Sequence, residues 1–187
     1  VRGDTLRQPA FFSADSLLTF DCVIANPPFS LNYGDIHKFR ERFHFWTPTK
    51  KKADFMFVQH MISVLKANGR MAVVMPHGVL FRGGEEKKMR QWLINNGLLE
   101  AVIGLPPGLF YGTGIPASIL VINKAEAKTR EQVLFINADR DYKEGKNQNQ
   151  LRPEDISKIT YCFSQKAEIE SYARFVDKVT LASEEYN

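Results

Sequence analysis

An α/β fold built on a mostly parallel sheet is predicted by three observations. Short apolar runs alternate with stretches of helical period. Each run ends on proline, glycine or asparagine. No apolar run approaches the ~20 residues that a membrane-spanning helix needs. Phe20–Ala25 is the first apolar run and reads as a buried strand. Asn26-Pro27-Pro28-Phe29 must end it, because neither proline can donate to a ladder and a residue before proline is held extended. Residues 53–67 read as a helix, with Phe55, Val58, Ile62 and Leu65 on one face and Asn68-Gly69 as the stop.

Residues 70–75 form a second buried run, stopped by Pro76. Residues 85–96 read as a helix burying Met89, Trp92 and Leu93, with Gly97 closing it. Further strands are predicted at 99–105, 117–123 and 132–138. The first two of these are too close for a crossover helix, so they should form an antiparallel pair at one edge. From Asp139 the chain turns polar, and helices are expected near 153–163 and 166–176. The expected division is therefore 1–138 and 139–187, the second part being a polar linker with a helical extension. In open α/β sheets chemistry gathers at the carboxyl ends of strands. That places Asn26–Phe29, Pro76-His77-Gly78 and the 106–116 loop on one rim.

The composition narrows the class. The chain has 187 residues, 44% hydrophobic, enough for a real core. With only 12 Gly, 9 Pro and two cysteines (Cys22 and Cys162), collagen-like, disordered and disulfide-scaffold classes are excluded. The polar start Val1-Arg2-Gly3-Asp4 does not read as a secretory signal, and two unpaired cysteines fit a reducing, cytoplasmic setting. No metal-ligand spacing is present. The net charge of +4 is uneven. Residues 37–52 hold six cations and one acid, so this segment carries +5 and the remainder −1. Phe39, Phe43, Phe45 and Trp46 are interleaved with those cations. Cations that meet phosphates, mixed with rings that stack on bases, point to nucleic acid; the plainer reading is a solvated face.

Asn26-Pro27-Pro28-Phe29 after an apolar strand resembles the Asn/Asp-Pro-Pro-aromatic signature of methyltransferases that act on exocyclic or amide nitrogens with S-adenosylmethionine. The chemistry explains the residue types. An aromatic amine is a poor nucleophile because its lone pair is delocalised. The Asn26 amide oxygen and the Pro27 carbonyl can each accept one of its N–H bonds, which draws the nitrogen toward tetrahedral geometry. The prolines preorganise that carbonyl, and Phe29 offers a stacking surface to a base outside the duplex. The transfer is a direct displacement from a sulfonium and needs no metal.

The resemblance extends over most of the chain. GDTL at 3–6, FDCVIANPPFS at 20–30, the stretch 53–84, LLEAVIGLPPGLFYGTGIPASILVINK at 98–124 and VLFINADRDYKEGKNQNQL at 133–151 resemble the methylation (M) subunits of type I restriction–modification systems, which are adenine-specific DNA methyltransferases. The last three stretches set this family apart from RNA and protein-glutamine methyltransferases with the same core, which remain the alternative enzyme class. A non-catalytic DNA-binding or assembly module is the other alternative.

The resemblance implies the second half of a Rossmann-like S-adenosylmethionine-dependent methyltransferase sheet, with antiparallel edge strands and a helical C-terminal extension. It implies that the glycine-rich cofactor loop precedes GDTL and is absent here; Gly112-Thr113-Gly114 follows the wrong strand to replace it. A fragment of this kind is expected to be inactive alone. Asp4 matches an acidic residue near the cofactor adenine, with a turn cap as its plainer role. Asn26 is expected at both the cofactor and the base. Phe110, Tyr111 and His77 are candidates for contact with an extruded base, and Lys50, Lys51 and Lys52 for contact with DNA. The implied partners are double-stranded DNA, a specificity (S) subunit, a second M subunit and a restriction (R) subunit, with no membrane.

Overall fold

The computed structural model describes residues 2–33, 36, 38–44 and 52–187. A small hairpin, β1 (Phe12–Ser13) and β2 (Ser16–Leu17), precedes the main sheet. That sheet has six strands: β3 (Phe20–Ala25), β4 (Leu65–Pro76), β5 (Leu99–Gly104), β6 (Ala117–Asn123), β7 (Gln132–Asn137) and β8 (Ala173–Asp177). Their spatial order is β3-β4-β6-β5-β7-β8. β3 runs parallel to β4 and β5 parallel to β7, while β6 is antiparallel to both β4 and β5. The carboxyl ends of β3, β4, β5 and β7 therefore share one rim, as the sequence predicts.

Helices α1 (Asp54–Ser63), α2 (Glu85–Asn95) and the short α4 (Lys178–Ser183) cover one face. Phe55, Val58, Met89 and Leu93 pack there on Met71, Val73 and Leu120. Helix α3 (Pro153–Gln165) covers the other face, where Cys162 joins Ala101, Ile103 and Leu134. Both cysteines are free, Cys22 exposed and Cys162 buried.

The α/β class holds, and four details differ from the sequence reading. β3 is not buried: it is an edge strand with Cys22 exposed and Ile24 79% exposed. Burial of a parallel strand depends on a second neighbour and on cover for both faces, and neither is visible in its own residues. The antiparallel pair β5–β6 lies inside the sheet, and the antiparallel edge strand is β8. Helix α1 stops at Ser63 because the strand ladder takes over: Phe20 N donates to Val64 O at 2.8 Å and Phe20 pairs with Leu65. Asn68-Gly69 instead lies in an irregularity of β4, where a Cβ on Gly69 would meet the Leu65 side chain at 2.8 Å and Asp21 O at 3.1 Å. The expected helix at 166–176 is a turn followed by β8, with Lys166 in the left-handed region closing α3. The free edge of β7 offers that segment a ladder, and pairing outweighs its weak helical period.

Candidate active site on the carboxyl rim

Asn26–Phe29 leaves β3 on the rim, just past the Ala25–Val73 pairing. Asn26 is exposed, Pro27 and Phe29 half-buried. The Phe29 ring meets Phe110 edge to face, with centroids 5.8 Å apart. Phe110 is part of the packing between loop and sheet, whereas its neighbour Tyr111 is 94% exposed. The loop carrying both is braced by the polar stretch beyond Asp139. Asn149 Nδ2 donates to Pro107 O at 2.8 Å, Asn149 N to Gly108 O at 2.9 Å, and Gln148 Nε2 to Leu109 O at 2.6 Å. Gly108 has φ +66°, and a Cβ there would lie 3.2 Å from Asn149 Nδ2.

Below the turn is a charged network that sequence reasoning missed. Asp54, the first residue of α1, is 1% exposed. Its Oδ1 accepts from Ser30 N at 2.7 Å and its Oδ2 from Arg82 Nη1 at 2.9 Å. Arg82 Nη1 also reaches Glu86 Oε1 at 3.3 Å. Burial lowers the proton affinity of the Arg82 guanidinium, and its contacts with Asp54 and Glu86 more than reverse that. Burial pushes the Glu86 carboxyl up, with Arg82 and nearby Lys52 pulling the other way. The only available signal was an acidic residue at a helix start, which by itself reads as a dipole partner.

A cleft of about 500 Å³ runs along the free edge of β3. Asn26 and Pro27 line it, as do Gly3 and Thr5 of the N-terminal segment. Asp4 between them is a turn cap in this structure: its Oδ1 accepts from Leu6 N and Arg7 N, both at 3.0 Å. His60 also lines the cleft, with its pKa pushed down to about 4 by burial and by the charge of Arg42.

The other candidates are dispersed. His77 is exposed, packs on Phe81 and lines the cavities over β5 and β7, not the cleft that holds Asn26. Lys50 and Lys51 lie outside the described residues, and Lys52 is exposed. The basic segment is partly internal. Phe43 is 6% and Arg42 4% exposed, and Arg42 donates to the carbonyls of Thr5 and Leu6, anchoring the N-terminal segment. Its neighbours Lys38 and Arg40 are exposed. Among the described residues no cluster could hold a metal ion, and no helix is long and apolar enough to cross a membrane.

Known proteins share this sequence and arrangement. The model of the N-6 DNA methylase family matches residues 1–187. The chain is 33% identical over 174 residues to the type I restriction enzyme MpnII methylase subunit of Mycoplasma pneumoniae, covering 90% of this chain and 32% of that protein. It is 33% identical over 199 residues to the MjaVII methylase subunit of Methanocaldococcus jannaschii, covering 99% of this chain and 33% of that one. A crystal structure of a type I restriction–modification methyltransferase subunit from Streptococcus thermophilus superposes with a TM-score of 0.86 at 34% identity, over 98% of this chain and 40% of that one. The chain thus spans about a third of the length of its curated relatives. A rim carrying Asn-Pro-Pro-Phe, on this sheet and in this sequence, makes the chain a member of the N-6 DNA methylase family.

Proposed function

We propose that this segment forms the base-holding half of an adenine-specific DNA methyltransferase, the methylation subunit of a type I restriction–modification system. The observation that carries the reading is the exposed Asn26–Phe29 turn on the carboxyl rim, within a chain of the N-6 DNA methylase family. Asn26 Oδ1 and Pro27 O accept the two N–H bonds of an extruded adenine amine and aim its lone pair. Phe29 stacks on one side of the base, and Tyr111, fully displayed on the neighbouring loop, approaches from the other. Phe110 acts through Phe29, supporting its ring.

S-adenosylmethionine supplies an electrophilic methyl group when bound. The residues present fit one wall of its site: the cleft beside β3 is open, Asn26 lines it, and a Cβ on Gly3 would meet no atom within 4 Å. Gly3, Thr5 and Asn26 would contact the cofactor, and Asp4 would shape the wall by capping its turn. The glycine-rich loop would come from a strand added to the free edge of β3. Residues 1–138 would be the second half of the catalytic domain. Residues 139–187 would be its extension and offer the surface for the S subunit, the second M subunit and the R subunit. Such an assembly would act on duplex DNA in the cytoplasm, with the exposed Lys38, Arg40 and Lys52 near the phosphates and Lys50 and Lys51 as further candidates for DNA contact.

The test is methyl transfer from labelled S-adenosylmethionine by an assembled methylase carrying this segment, offered duplex DNA, RNA and protein. Label should enter DNA alone, and Asn26→Ala should reduce it by at least about 100-fold, the scale of one preorganised polar contact. Label in RNA or protein, or an active Asn26→Ala enzyme, would contradict the reading.

A further inference from the structure

We propose that Asp54 is a positioning residue for the Asn26–Phe29 turn, holding it through the Ser30 amide while Arg82 ties the same carboxylate to the His77–Leu80 turn. The inference rests on the reading of Asn26–Phe29 as the base-holding turn.

Ser30 directly follows Phe29 and has φ +51°, a left-handed backbone that a residue with a Cβ adopts only when its surroundings impose it. Two contacts impose it. The Ser30 amide is bound at 2.7 Å by a carboxylate that is 1% exposed. One residue on, Leu31 O accepts from Ala53 N at 2.8 Å. The turn is therefore stretched between two anchors, the β3–β4 ladder ending at Ala25–Val73 and the start of α1. Between those anchors lie Asn26 and Pro27, whose oxygens must meet the amine.

The second oxygen of Asp54 goes elsewhere. It accepts from Arg82, which follows the His77–Leu80 turn on β4's carboxyl end. The guanidinium is closely seated there: a Cβ on Gly78 would lie 2.5 Å from Arg82 Nη2. One buried carboxylate thus joins two adjacent rim loops. A buried ion pair is a poor source of net stability, because desolvation offsets most of the attraction. What it does supply is a single geometry, since the two Asp54 oxygens hold different loops, Oδ1 the Ser30 amide and Oδ2 the Arg82 guanidinium. Loss of that geometry displaces acceptors whose value lies in their placement, and so lowers the rate without removing any group that binds DNA or cofactor.

The experiment uses the assembled full-length methylase with Asp54→Ala, Asp54→Asn, Asp54→Ala combined with Ser30→Gly, and Asn26→Ala as control. Turnover is normalised to cofactor-binding sites, and melting temperature is recorded for each variant. Asp54→Ala should lower kcat by roughly 10- to 100-fold while KM for DNA and for S-adenosylmethionine stays within about threefold. Asp54→Asn, which keeps an oxygen for the Ser30 amide, should lose less, and it carries the test if the alanine variant does not fold. Ser30→Gly adopts the left-handed backbone freely and should restore part of kcat to Asp54→Ala without restoring its melting temperature. Unchanged kcat per site in the Asp54 variants, or no rescue by glycine, overturns the proposal. An active Asn26→Ala enzyme would instead overturn the reading beneath it.

Discussion

His60 and Arg42 show how much a side chain's meaning depends on what surrounds it. In the sequence Arg42 is one of six cations in a basic stretch; in the structure it is buried and holds two carbonyls of the N-terminal segment. Burial lowers its pKa to about 10, still far above neutrality. His60 is kept neutral, with a pKa near 4, first by burial and then by Arg42. The sign follows. The unfolded imidazole protonates near 6.5 and the folded one near 4, so the unfolded state takes up the proton first as pH falls. The stability associated with His60 is complete above pH 6.5 and declines toward pH 4, by at most about 3 kcal/mol. Urea denaturation of the wild type between pH 7 and 4 should show this loss, and His60→Leu should flatten it. Equal pH dependence in both proteins would remove His60 from the account. At the rim, Phe110 and Tyr111 look equivalent in the sequence, yet one packs under Phe29 and the other faces solvent.

Strands and helices were legible where their ends carried local signals. β6 and β7 start and stop within a residue of the sequence reading, because apolar runs meet clear breakers. α2 ends before Gly97, as expected of a glycine at φ +60°. A Cβ there would lie 2.1 Å from Ala127 O, so Gly97→Ala should cost more than about 2 kcal/mol in chemical denaturation. A cost within error would mean that the 124–130 turn yields easily. Elements set by distant pairing were not legible. The end of α1 is fixed by β3, 45 residues from Leu65 in the Phe20 pairing, and β8 exists because β7 has an open edge. The site divides the same way. Asn26–Phe29 was legible because proline chemistry is local. Asp54 and Arg82 were not, since a carboxylate's partners 24 and 28 residues away leave no periodic trace.

On the scale of the whole chain, the six-stranded sheet ends at β8 on one side and at β3 on the other among the described residues. The β3 side is the one that carries Asn26 and its cleft, so the site and that edge are continuous. The charge has a matching asymmetry. Residues 37–52 hold +5 on a chain that is otherwise −1, although Arg42 is withdrawn into the interior. Reversing Lys50, Lys51 and Lys52 in the assembled methylase should weaken DNA binding and lower the salt slope by about 0.9 per lost phosphate contact, read from titrations at several ionic strengths. Unchanged affinity and slope would place those lysines away from DNA. The central claim is that Asn26 and Pro27 hold the adenine amine during transfer. It is tested most directly by mass spectrometry of nucleosides from duplex DNA treated with wild-type and Asn26→Ala assemblies. The account predicts N6-methyladenine from the wild type and almost none from the variant at equal DNA binding. N6-methyladenine at wild-type levels from Asn26→Ala, or a methyl group on another base, would contradict it.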